Sequence, residues 1–272
     1  MARMSGATPT TPAPGPLAPG RALRARFLAG EATIGTFIGL GSVAAAEVCA
    51  AAGLDWVLVD LEHGGGSEAQ LGAIVAAAGA YGTATLVRVE QPERIRIGRA
   101  LDAGAAGLMF PRISSAAEAA EARRHQLYPP AGDRGVASYN RAARWTLDTG
   151  ALDRANEQSV GIVQIETREA VDDVTAIAAT PGVDVLFVGP QDLSYALDVP
   201  RQFDHPRFEA ALDAVLAACR DAGKVAGILA NDRAGIERYR ERGFGFLAVG
   251  SDATLLAATV RGAIPDGLGV RR

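Results

Sequence analysis

Cysteine and lysine are nearly missing from this sequence, and their scarcity narrows its chemistry. Only two of the 272 residues are cysteine, Cys49 and Cys219. Both fall in Ala-rich stretches of helical character, far apart. That excludes a disulfide framework and a cysteine zinc site, and reads as two packed thiols in a reducing compartment. A single lysine, Lys224, stands among 27 basic residues. No apolar run approaches the roughly 20 residues that a membrane helix needs. Positive charge is not in excess: 27 basic against 31 acidic residues leave a net charge of -4. Neither nucleic acid nor a membrane is therefore an expected partner. The first residues lack a continuous apolar segment followed by a cleavage site, so the cytoplasm is the expected location.

Apolar residues, by contrast, make up 49% of the chain, enough for one large domain and too many for a disordered one. Residues 1–19 are the exception. They are rich in Pro, Thr, Ala and Gly, show no periodicity, and are expected to form a disordered tail. Residues 20–272 are expected to form one domain that opens with a helix over RALRARFLAG. Eight short apolar and β-branched runs follow, at 33–39, 56–62, 84–89, 107–112, 161–166, 184–189, 225–230 and 246–251, separated by Ala-rich stretches of helical spacing. Eight such units predict an α/β fold, a (β/α)8 TIM barrel, whose parallel sheet is covered on both faces. The rival is an open doubly wound sheet. Its dinucleotide turn is only half present in GLGSVA, where alanine stands in place of the third glycine. One long connection, about 128–158 and rich in turn formers and arginine, reads as a functional or interfacial loop.

Barrel active sites lie at the C-terminal ends of the strands. The polar residues falling there are Asp60, Glu62 and His63 after the second strand, Arg88 after the third, and Gln164 and Glu166 on the fifth. Gly189, Pro190, Gln191 and Asp192 follow the sixth, Asn231 the seventh, and Ser251 and Asp252 the eighth. Gln164 and Glu166 are two apart, so they share a face about 7 Å apart along the strand. Glu166 and Asp192 close adjacent strands. Two converging carboxylates repel unless a cation lies between them, and all-oxygen ligation favours a hard divalent ion such as Mg2+ or Mn2+. The competing reading is that each acid caps the helix that follows it. His125 and His205 sit at a helix end and in a turn. His63 alone closes a strand, where an imidazole can exchange protons near neutrality, with Asp60 close enough in sequence to orient its ring. Lys224 opens the seventh strand, on the opposite face, which excludes a Schiff base in the barrel mouth. A carbon–carbon lyase built on this chain must then use a metal to stabilise an enolate. No G-x-S-x-G elbow, Walker loop or H-E-x-x-H is present, and the LAND and VGSD turns are poor phosphate sites.

The motifs DLEH (60–63), YPPAGDRG (128–135), VQIETREA (163–170), FVGPQDLS (187–194) and GILAND (227–232), in that order, resemble the HpcH/HpaI aldolase family over about residues 20–262. The resemblance implies a metal-dependent class II pyruvate aldolase, usually a hexamer, that reversibly cleaves a 4-hydroxy-2-oxo acid such as 4-hydroxy-2-oxoheptanedioate or a 2-keto-3-deoxy sugar acid to pyruvate and an aldehyde. It implies Glu166 and Asp192 as ligands of Mg2+ or Mn2+, with Co2+ a third candidate. His63 matches the base, held by Asp60; Arg88 matches the arginine at the keto-acid oxygen; Gln164 matches a glutamine beside the metal. Gly189, Pro190 and Gln191 match the segment at the pyruvate carboxylate. Asp102 matches an acid tied to the site across a subunit boundary. Phe37 stands where relatives often carry tryptophan, and Tyr139-Asn140 is a second departure; both bear on aldehyde preference. The alternatives are a citrate-lyase-like enzyme acting on an acyl-CoA or dicarboxylate, and a non-catalytic sugar-acid-binding barrel.

Overall fold

In the computed structural model, residues 19–265 are described. The expected tail lies outside these residues except for Pro19, which opens the first helix, Pro19–Leu28. Eight strands follow: β1 (Thr33–Ile38), β2 (Trp56–Asp60), β3 (Ala84–Arg88), β4 (Gly107–Phe110), β5 (Val160–Ile165), β6 (Val185–Val188), β7 (Val225–Ala230) and β8 (Phe246–Ser251). Each pairs in parallel with the next, and β8 closes on β1. The (β/α)8 barrel expected from the alternation is therefore the fold.

Side-chain alternation builds its two cores. Trp56 and Leu58 of β2 point into the barrel with Leu86, Met109, Ile162, Phe187 and Phe246. Val57 and Val59, one residue along, point outward into the layer under the helices. Every position of β2 and β3 is buried as a result, which is why these strands read as continuous apolar runs. Trp56 stacks on Phe246 at 4.2 Å between ring centroids. From below, the N-terminal helix adds Leu23 and Phe27 to this inner cluster, with Phe27 edge-on to Phe246 at 6.0 Å. Arg24 pairs with Asp184 at 3.0 Å and Arg26 with Asp55. Both acids precede a strand, so the helix is tied across the strand starts. The floor of the barrel is thus closed, and its C-terminal mouth is the end left for a ligand.

Two helices depart from the sequence reading. Within the long connection lies a short helix, Ala151–Gln158, of which only Ala151 is buried. The helix expected after Asp192 starts earlier, at Pro190, because proline suits the first turn. Among the described residues, no helix is long and apolar enough to cross a membrane.

Candidate active site

A cavity of about 670 Å3 opens at the strand C-termini, lined by Phe37, Asp60, His63, Arg88, Gln164 and Asp192 among others. Its charged centre follows from register. Asp60 and Arg88 end β2 and β3 as direct neighbours. Arg88 donates to both oxygens of Asp60, Nε to Oδ1 at 2.9 Å and Nη2 to Oδ2 at 2.7 Å. This fork is the arrangement that a guanidinium makes best. Burial pushes the Asp60 carboxyl up, but Arg88 and the backbone N–H groups of His63 and Glu62 outweigh it and hold it below the ordinary value. The remaining nitrogen of Arg88, Nη1, lies 3.2 Å from Glu62 and 3.4 Å from Gln164 Oε1. Its guanidinium stands over the Phe37 ring at 5.1 Å.

Gln164 relays this centre to Glu166, donating from Nε2 to Oε2 at 2.8 Å. The other oxygen of Glu166 accepts from the backbone N–H of Arg112 at 2.7 Å. Arg112 holds a left-handed φ of 52°, a cost that the carboxylate bond helps offset. Burial, with the charges of Asp192 and Glu62 added, pushes the Glu166 carboxyl up to about 7 against the pull of Arg112 and Arg88. Glu62 is also raised, chiefly by burial. Asp192 lies in the first turn of helix Pro190–Ala196 and lines the cavity.

The acids therefore outnumber the guanidinium, and the residues present fit a divalent cation. Neither acid is a helix cap: Thr167 and Gly189 hold those positions. A Cβ on Gly189 would lie 2.7 Å from Glu166 Oε2, so glycine is what lets the chain pass this close to the carboxylate. Among the described residues no three His, Cys, Asp or Glu side chains converge as ligands. A two-carboxylate site leaves the remaining positions to water or substrate oxygens, as Mg2+ prefers.

The sequence reading of His63 needs correction at one point. Asp60 does not orient its ring. The carboxylate is taken up by Arg88 and reaches only the His63 backbone N–H, at 3.2 Å. The imidazole is exposed at the cavity edge, its Nε2 3.9 Å from Glu62. Asp102 lies away from the cavity, paired with Arg134 at 2.7 Å. Tyr139 is exposed and Asn140 caps a turn at the Ala143 N–H; of the two departures, Phe37 alone reaches the cavity. His125 bonds Asp133, and His205 caps the helix Pro206–Ala222. Lys224 precedes β7, at the floor. Buried Cys219 is pushed up to about 12 by burial, and half-buried Cys49 is raised chiefly by burial. Sequence reasoning gave no role to Glu62 or to the Arg112 backbone. The signal for Glu62 was its spacing from Asp60 in DLEH; the Arg112 N–H left none.

The HpcH/HpaI aldolase/citrate lyase family matches residues 33–259. A hydroxypyruvate/pyruvate aldolase of Paraburkholderia phytofirmans is 41% identical, covering 90% of this chain and 96% of its own. A 4-hydroxy-2-oxo-heptane-1,7-dioate aldolase of Shigella sonnei is 40% identical, covering 86% and 90%. The crystal structure of a HpcH/HpaI aldolase/citrate lyase family protein from Burkholderia cenocepacia superposes with a TM-score of 0.86 at 40% identity, covering 89% and 97%. By sequence and by fold, the chain belongs to the HpcH/HpaI aldolase/citrate lyase family.

Proposed function

We propose that the chain is a divalent-metal-dependent pyruvate aldolase that reversibly cleaves a 4-hydroxy-2-oxo acid to pyruvate and an aldehyde. The observation that carries this reading is the chain of contacts from Asp60 through Arg88 and Gln164 to Glu166, ending beside Asp192 at the barrel mouth. The two curated relatives, both named aldolases, support it.

Glu166 and Asp192 would hold Mg2+ or Mn2+, with Co2+ a third candidate. Such an ion supplies Lewis-acid stabilisation of negative charge on a 2-oxo acid. Arg88, fixed by Asp60, directs Nη1 at the keto oxygen and faces the charge that develops there. The N–H groups of Gln191 and Asp192 lie in the first turn of their helix, where they have no intrahelical partner, and receive the pyruvate carboxylate; Gly189 and Pro190 set the approach. His63 takes the C4 hydroxyl proton in cleavage. The C3–C4 bond then breaks, its electron pair passes to the C2–C3 enolate beside Arg88, and C4 leaves as the aldehyde carbonyl. The Glu62 carboxylate lies 3.9 Å from the imidazole Nε2.

The hexamer belongs to the same reading. Asp102 ends helix Arg94–Asp102, which runs back from the mouth, so it serves a neighbouring chain's cavity better than its own. Exposed Val136, Tyr139, Trp145 and Leu147 supply apolar surface for assembly. Light scattering after gel filtration should give six chains; a fully active monomer would remove Asp102 from the site. Two free thiols suit a reducing cytoplasm.

The test is a retro-aldol screen over 4-hydroxy-2-oxo acids with pyruvate release coupled to a dehydrogenase. Cleavage of at least one member is expected. Silence across the screen with Mg2+ and Mn2+ present would overturn the reading.

A further inference from the structure

His63 carries the proposed proton transfer from an exposed position, on a turn with three consecutive glycines and, among the described residues, no charged ring partner closer than 3.9 Å. Asp60 holds the first residues of that turn through the Glu62 and His63 N–H groups, at 3.1 and 3.2 Å, and the glycines beyond them need a second support. Their backbone leans on the loop after β1. Gly65 N–H donates to Gly39 O at 2.7 Å. A Cβ on Gly64 would lie 3.1 Å from the same oxygen, and one on Gly41 would lie 2.4 Å from Gly66 Cα. Glycines on both sides let the two loops pack backbone to backbone. The loop after β1 is in turn pinned from the far side of the barrel seam. Asp252, buried at 6% exposure, accepts from Gly39 N–H at 2.8 Å and from Leu40 N–H at 3.2 Å. It opens the helix after β8, where Ser251 caps and a capping box fixes the turn. One carboxylate thus ends a backbone-to-backbone path: Asp252, Gly39, Gly65, His63.

We propose that Asp252 is a positioning residue for His63. It does not line the substrate cavity, and it acts by holding the loop against which the histidine turn is packed. The inference rests on the aldolase reading and on His63 as the proton acceptor. A clamp of this kind matters for proton transfer, because a displacement of about 1 Å of the transferring group can cost on the order of 100-fold in rate. Substrate binding through Arg88 and the Gln191 turn lies on other strands and is untouched.

The experiment is a double-mutant cycle on retro-aldol cleavage, with the metal-loaded full chain. Asp252→Ala should lower kcat roughly 10- to 100-fold and leave KM within about twofold. In a His63→Ala background the same substitution should produce no further loss, because its effect passes through the histidine. Asp252→Asn keeps an acceptor for Gly39 and Leu40 and should restore most of the rate. Gly41→Ala, which pries the loops apart without touching Asp252, should reproduce the His63-dependent loss and serves if Asp252→Ala does not fold. An equal loss in both backgrounds, a rise in KM alone, or an Asn variant as impaired as Ala would overturn the proposal while leaving the aldolase reading intact. No cleavage by the unmutated chain would overturn that reading itself, and the proposal with it.

Discussion

Asp60, Glu62 and Glu166 all act on the charge of Arg88, and Asp192 adds to the field at Glu166. Removing the guanidinium should therefore do two things. Arg88→Ala should lower kcat by roughly 100- to 1000-fold, the scale of a lost transition-state charge contact, with a smaller effect on KM. It should also cost about 3 kcal/mol of stability, since buried Asp60 loses its partner. Arg88→Lys should rescue little, because an ammonium cannot reproduce the fork. Steady-state kinetics and chemical denaturation check both; a variant with raised KM and unchanged kcat would contradict the enolate role. A second expectation concerns pH. The Glu166 carboxyl, ordinarily near 4.5, is pushed up to about 7. Folding then binds a proton that the unfolded chain releases. That stabilisation is fully present below about 4.5 and lost as pH rises towards about 7. Chelator-treated protein should lose roughly 3 kcal/mol across this window. Glu166→Gln should flatten the slope, and Mn2+ should raise Tm more above pH 7 than below pH 5. A slope unchanged in Glu166→Gln would contradict the assignment.

Elements carry these groups to one place. Asp60 and Arg88 meet because parallel register sets the ends of β2 and β3 side by side. Glu166 feels the charge of Asp192 because β5 and β6 are neighbours and because Gly189 admits the carboxylate. Gly189→Ala would drive a Cβ into Glu166 Oε2. It should weaken divalent-cation binding at least about tenfold, the scale seen when a ligand's support is disturbed, with a far-ultraviolet spectrum unchanged; native affinity would contradict the account. At this scale the sequence was most legible. All eight strands lie within two residues of their expected bounds, because buried parallel strands write themselves as apolar runs. Helix Ala151–Gln158 was not legible, since it is only eight residues long, buries one of them, and lies among the turn formers of the long connection. The two acids could be picked out by their place at strand ends. The fork between Asp60 and Arg88 could not, because it depends on a side-chain geometry that residue spacing leaves open between Arg88 and His63.

The whole molecule divides its labour between two ends. Phe27 and Leu23 of the N-terminal helix seal the floor against Trp56 and Phe246, and the only lysine stands on that side. Charge collects at the opposite mouth, where Glu166 and Asp192, from adjacent βα units, are the proposed holders of a divalent cation. The most direct test of that claim is calorimetric titration of the chelator-treated chain with Mn2+. One ion per chain should bind, and both Glu166→Gln and Asp192→Asn should abolish that binding while the barrel stays folded. Undiminished binding in either variant, or none to the unmutated chain, would contradict it.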